Sequence, residues 1–137
     1  MTSKLVYTGE LGTRAVHELS GTVIETDAPR DNQGKGEKFS PTDLVATSLG
    51  SCMLTTMGIS ARDKQLALDG TTAAVEKIMI SNPRRIAEIK VHINFPGSVH
   101  CPLGDRAYLE RVALNCPVAK SLHTDIKQSV SFHWQEP

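Results

Sequence analysis

The chain has 137 residues, with 15 Lys+Arg against 15 Asp+Glu, so its formal net charge is zero. A chain without basic excess is not expected to bind nucleic acid or an anionic membrane by broad electrostatics, and 4% aromatics do not furnish a base-stacking platform. With 39% hydrophobic and 22% charged residues it reads as an ordinary globular chain, and its length fits a single domain, 1–137.

Residues 1–10 carry Lys4 but no apolar run, so they do not read as a secretory signal. No uninterrupted apolar run approaches the roughly 18 residues that span a bilayer. Three cysteines, an odd number, do not make a secreted disulfide framework, and a reducing, cytoplasmic setting is expected. Leu5, Tyr7, Ala15, Val16, Val23 and Ile24 fall in short apolar segments broken by glycines, and residues 18–22 read as a hairpin turn between two strands. Residues 27–36 form a polar loop rich in Pro and Gly.

Ser40-Pro41-Thr42-Asp43 is the clearest local signal. Ser suits the N-cap, Pro the first helical position, and Asp at the third closes a capping-box variant. The helix predicted from there runs to about residue 64. Val45, Leu49, Cys52, Met53 and Thr56 form its apolar stripe. Small pairs four apart, Ala46 with Gly50 and Thr47 with Ser51, would let another backbone come close. Gly costs roughly 1 kcal/mol in a helix interior, so Gly50 and Gly58 each call for a packing reason.

Residues 71–80 and 86–95 read as strands, the second alternating Ile89, Val91, Ile93 and Phe95 with Lys90, His92 and Asn94. Helices are predicted over 105–114 and 118–123, and a last strand over 129–135. The order β-β-β-α-β-β-α-α-β gives an α+β fold with helices on an antiparallel sheet.

The cysteines carry the chemistry. Cys52 lies on the apolar stripe, where a small buried thiol is the plain reading. Cys116, between Asn115 and Pro117, stands at a helix N-terminus, either a place that favours a thiolate or a cap position that happens to carry Cys. Cys101 follows His100 in a loop. Cys101, Cys116, His100 and His123 are zinc-ligand types, but no Cys-x-x-Cys or His-x-x-x-His pair occurs, so neither a metal nor any other cofactor is expected. The serine-hydrolase elbow, the P-loop and the dinucleotide glycine pattern do not occur either.

Taken together, Ser40-Pro41-Thr42-Asp43 leading to Cys52, and Asn115-Cys116-Pro117-Val118, resemble the two cysteine motifs of the OsmC/Ohr family. In that family, too, two strands separate them. The resemblance implies an intertwined homodimer with two long helices at its centre, to which the small face at Ala46, Thr47 and Gly50 would contribute. It also implies a thiol peroxidase acting on organic hydroperoxides. By that resemblance Cys52 attacks the peroxide and becomes a sulfenic acid, Cys116 resolves it as a disulfide, and a dithiol, often lipoyl-based, reduces the pair.

In the best-characterised branch an Arg pairs with the thiolate and a Glu orients that Arg. Arg14 is the candidate for the first role by order in the chain. The Glu directly follows the helix-opening Pro in that branch; here the position is Thr42, and Glu37 in the preceding loop is the remaining candidate acid. Phe39, Leu49, Met53 and Met57 are candidates to line an apolar peroxide pocket. The alternatives are a non-catalytic redox sensor or binder of a small apolar ligand with the same fold, or a structural zinc protein.

Overall fold

The computed structural model describes residues 1–137. Its elements run β1 (Ser3–Gly9), β2 (Gly12–His17), β3 (Val23–Asp27), a 3-10 turn (Arg30–Asn32), α1 (Pro41–Asp63), β4 (Thr72–Ile80), β5 (Arg85–Phe95), α2 (Leu103–Leu114), α3 (Pro117–Ser121) and β6 (Lys127–Trp134). Strands and helices come in the expected order, and the chain gathers into two units, Met1–Val45 and Ala46–Pro137.

The first unit is an antiparallel meander, β1-β2-β3. Its hairpin closes where expected, with His17 N–H donating to the Thr22 carbonyl at 2.9 Å. Leu5 faces Ala15 and Ala15 faces Ile24 across the ladder, so they share one side with Tyr7. That side carries no charge, while Lys4, Arg14 and Glu25 point the other way. In the loop that follows, a Cβ on Gly34 would sit 1.7 Å from the Ala28 carbonyl oxygen, so only Gly fits there. The start of α1 closes as the capping box predicts. Asp43 N–H donates to Ser40 Oγ at 3.1 Å, and Ser40 N–H donates back to Asp43 Oδ2 at 2.9 Å. Two otherwise orphaned backbone donors are thereby satisfied at the helix N-terminus.

The second unit holds the sheet β4-β5-β6. β4 pairs antiparallel with β5, but β6 pairs parallel with it, Val91 opposite Val130 and Phe95 opposite Trp134. The sheet is therefore mixed, a correction to the all-antiparallel expectation. A parallel neighbour needs a long crossover, and the segment carrying α2 and α3 supplies one. Ile89, Val91, Ile93 and Phe95 of β5 are buried as their alternation predicts. The ladder shifts where Ala87 of β5 is the extra residue, so Ile86 is buried along with Ile89, while Met79 of β4 keeps the core side of Ala73 and Val75 and Ile80 is exposed.

Leu49, Met53, Met57 and Ala61 of α1 share one core with these strands. The three larger side chains are sealed from solvent, so they are core packing and not pocket lining. Phe39 is exposed in the first unit. The buried stripe runs through Ala46 and Gly50 instead of Val45, which is exposed. Gly50 has the expected packing reason, since a Cβ there would meet Val75 Cγ2 at 2.7 Å. Gly58 has none within the chain: a Cβ there meets nothing within 4 Å. Ala46 is thus buried in the chain's own core and Gly50 lies close to β4. An 18-residue window of α1 reaches a mean hydropathy of 1.4, long and apolar enough to cross a membrane by length and composition. Counting uninterrupted apolar residues did not reveal this, because Gly, Ser and Thr interrupt the run. Leu49, Met53 and Met57 of α1 are nevertheless in the core just described, while Val45 and Ile59 are exposed.

Candidate active site

Pro117 shapes the second cysteine. A residue before proline is pushed out of the helical region, and Cys116 is extended, with φ −64 and ψ 157, as the N-cap of α3. Asn115 ends α2 just before it, donating from Nδ2 to the Arg111 carbonyl at 2.8 Å. This break turns the Cys116 sulfur inward, where it is fully buried in the core cluster.

Cys52 lies in α1, three turns from the helix start, and is half-buried. Cys116 faces it closely enough for the two side chains to interact. Cys52 and Cys116 are free cysteines, as is buried Cys101. The pair is therefore asymmetric: one thiol is partly open and the other is sealed behind it.

Burial pushes the Cys116 thiol above its ordinary value, the Ala119 backbone N–H pulls it down, and the neighbouring Cys52 adds to the rise. The Val118 N–H also favours the charged form. The helix N-terminus thus acts as the sequence predicts but loses to desolvation, so Cys116 is held as a neutral thiol. Of the two readings of that position, a place that favours a thiolate and a plain cap residue, burial favours the second. Cys101 is likewise pushed up, by burial first and by Asp105 second; its sulfur contacts the Pro102 carbonyl at 3.6 Å.

One neighbour of Cys52 was read from sequence only as part of the apolar stripe. Thr56 Oγ1 donates to the Cys52 carbonyl at 2.7 Å and lies 3.9 Å from Cys52 Sγ. The signal was available in the i, i+4 spacing, because Thr in a helix commonly donates to the carbonyl four residues back.

The other candidates lie in the first unit. Arg14 is exposed on β2, opposite Glu25 of β3. Lys38 holds that Glu25 carboxyl below its usual range through a 2.6 Å ion pair, with a smaller contribution from Arg14. Glu37 is exposed in the loop between Lys35 and Lys38, which pair with Glu10 and Glu25. Thr42 is in the first turn of α1, its Oγ1 3.3 Å from Ser40 Oγ. No three His, Cys, Asp or Glu side chains converge into a metal-binding group.

Residues 34–131 match the sequence model of the family described as OsmC-like protein. The chain is 52% identical to a protein of Psychrobacter arcticus 273-4 described as an osmotic stress induced and detoxification response protein. That match covers 97% of this chain and 96% of the other, with a TM-score of 0.91. The fold is also that of an organic hydroperoxide resistance protein OsmC from Legionella pneumophila, at 14% identity, TM-score 0.75 and 97% coverage of each chain. An organic hydroperoxide resistance protein from Elizabethkingia anophelis shares it at 17% identity and TM-score 0.73, over 98% of this chain and 97% of that one. The comparison with curated proteins gives no match. With a family match over most of the length and a relative that shares half of its residues, the chain belongs to the OsmC-like protein family.

Proposed function

We propose that this protein is a thiol-dependent peroxidase that reduces organic hydroperoxides to alcohols. The observation that carries the reading is the asymmetric pair, half-buried Cys52 with sealed, neutral Cys116 against it. The ionised Cys52 sulfur attacks the distal peroxide oxygen, the O–O bond breaks, and the alkoxide leaves as the alcohol after taking a proton. Cys52 becomes a sulfenic acid. The Cys116 sulfur then displaces hydroxide from Cys52, which leaves as water with the Cys116 proton, and the S–S bond forms. An external dithiol, lipoyl-based in this reading, returns both thiols by two exchanges and is itself oxidised to a disulfide. Burial of Cys116 suits the resolving role, because a protonated, enclosed thiol does not compete for peroxide.

The reading assigns Arg14 to pairing with the Cys52 thiolate and Glu37 to orienting that Arg. It also takes the protein as a cytoplasmic homodimer. The uncharged side of the first sheet supports the dimer, with Leu5 at 63%, Tyr7 at 65% and Ile24 at 47% exposure. The open side of α1 supports it as well: a groove of about 360 Å³ runs along Thr47, Ser51, Leu54 and Thr55.

The test is peroxide consumption by reduced protein with dihydrolipoamide, comparing cumene hydroperoxide with hydrogen peroxide. Catalytic loss of the organic peroxide that vanishes in Cys52→Ser is expected. Cys116→Ser should retain one turnover and lose steady cycling. Loss no faster than with a free thiol, unchanged in Cys52→Ser, would overturn the reading. Thr42, a neutral hydroxyl where the well-characterised branch carries its acid, favours one second reading: a redox sensor of the same fold. A sensor forms the Cys52–Cys116 disulfide once per peroxide without sustained turnover.

A further inference from the structure

Thr56 is the neighbour of Cys52 with chemistry left over. Residues 52 and 56 both lie within α1, so the Cys52 carbonyl has the Thr56 backbone N–H as its regular helical donor. The Thr56 hydroxyl, donating to the same carbonyl at 2.7 Å, occupies the second lone pair of an oxygen that does not depend on it. Its oxygen is at the same time 3.9 Å from Cys52 Sγ. A hydroxyl has one proton and rotates freely about its C–O bond. While Cys52 is a thiol, that proton rests on the carbonyl and the oxygen presents a lone pair toward the sulfur. When Cys52 ionises, the sulfur becomes the stronger acceptor, and hydrogen bonds to charged groups are roughly twice as strong as neutral ones.

We propose that Thr56 is a positioning residue for Cys52, its hydroxyl swinging from the helix backbone to the sulfur as the thiolate forms. The back-bond to the carbonyl holds Oγ1 beside the sulfur beforehand, so the swing rotates one proton and draws the two heavy atoms closer than 3.9 Å. The titratable group facing Cys52 from another element is Cys116 of α3, which stays a neutral thiol because it is buried. It can donate one hydrogen bond to the thiolate but brings no charge; beside it and the Arg14 that the proposed function assigns to the thiolate, the Thr56 hydroxyl is a further donor, supplied by the helix that carries Cys52. The inference deepens the peroxidase reading in that the ionised Cys52 is the reacting form there. It does not depend on any peroxide being a substrate.

The test reads Cys52 alone. Cleavage after Lys38 and Arg62 releases residues 39–62, which carry Cys52 as their only cysteine. Reduced wild type, Thr56→Val and Thr56→Ser are treated with iodoacetamide across pH, and alkylation of that peptide is followed by mass spectrometry. Val keeps the shape and removes the hydroxyl; Ser keeps the hydroxyl. The expected result is an alkylation midpoint raised by about 0.5–1 pH unit in Thr56→Val, equivalent to about three- to tenfold slower alkylation below the midpoint. In Thr56→Ser the midpoint should stay within about 0.2 unit of wild type. Thermal melts of all three proteins check folding, and Thr56→Ala replaces the Val variant if that one does not fold. A wild-type midpoint in the hydroxyl-free variant overturns the proposal, and so does an equal rise in Thr56→Ser. No peroxide enters the assay, so a protein that fails to consume cumene hydroperoxide can still show the shift, and a peroxidase can still lack it.

Discussion

The two sheets of this protein are both built from strands rich in apolar residues and end in opposite situations. In β4-β5-β6 the central strand is covered by α1, and its four alternate apolar residues are buried. In β1-β2-β3 the apolar residues stand in runs instead, Leu5-Val6-Tyr7 and Val23-Ile24, and those of β1 and β3 remain largely exposed. A period-two pattern specifies which side chains share a face. Whether that face is dry depends on what packs over it.

Substitution is the strongest way to break the comparison. Phe95 is sealed and stacked on Trp134, with ring centroids 3.5 Å apart. Phe95→Ala should cost about 3–5 kcal/mol in urea unfolding, at every protein concentration. Leu5→Ala should cost under about 0.5 kcal/mol beyond any effect on assembly. In the proposed dimer its deficit comes through association, so its unfolding midpoint should depend on protein concentration differently from wild type. A Leu5→Ala loss as large as that of Phe95→Ala, and independent of concentration, would mean that the first sheet has a core of its own.

The two glycines of α1 sharpen the same contrast on one helix. Gly50 lies against Val75, and Gly58 faces open space. Gly50→Ala should destabilise by about 1–3 kcal/mol through overpacking. Gly58→Ala should raise the thermal midpoint, by up to about 1 kcal/mol of helix propensity. A destabilising Gly58→Ala that also weakens self-association would place a second chain on that side of the helix.

The smallest effect separates the units by pH. All three cysteines lie in the second unit, and burial raises Cys101 and Cys116 above the ordinary thiol value. Above about pH 8.5 the unfolded chain gives up these protons while the folded chain keeps them. The unfolded state then binds fewer protons, so stability is full below that pH and falls as pH rises toward the folded values. The slope is at most about 1.4 kcal/mol per pH unit for each thiol. Thermal melts of reduced protein from pH 8 to 10 should show the decline, and Cys101→Ala with Cys116→Ala should flatten it.

How far the molecule could be read in advance differs by residue. The capping box at Ser40 and Asp43 was fully legible, because four adjacent residues contain both donors and both acceptors. The burial of Ile89, Val91, Ile93 and Phe95 was legible from alternation. Cys116 stood out through its place before Pro117, whereas Cys52, by its local setting a small buried thiol, became a candidate through the family resemblance. The relation of Thr56 to the Cys52 sulfur was only half legible: the spacing was visible, but it had been assigned to packing.

By itself, then, the sequence determined the order of the elements, the start of α1, the inward side of β5 and the extended backbone at Cys116. Each of these rests on interactions within a few residues. Only the tertiary structure decided that β6 runs parallel to β5, since strand direction depends on a crossover that local pattern does not encode. It also turned Ala46 and Gly50 against the chain's own strands. Finally, it made burial outweigh the helix N-terminus at Cys116, because desolvation sums over every atom packed around the sulfur, and those atoms come from distant parts of the chain.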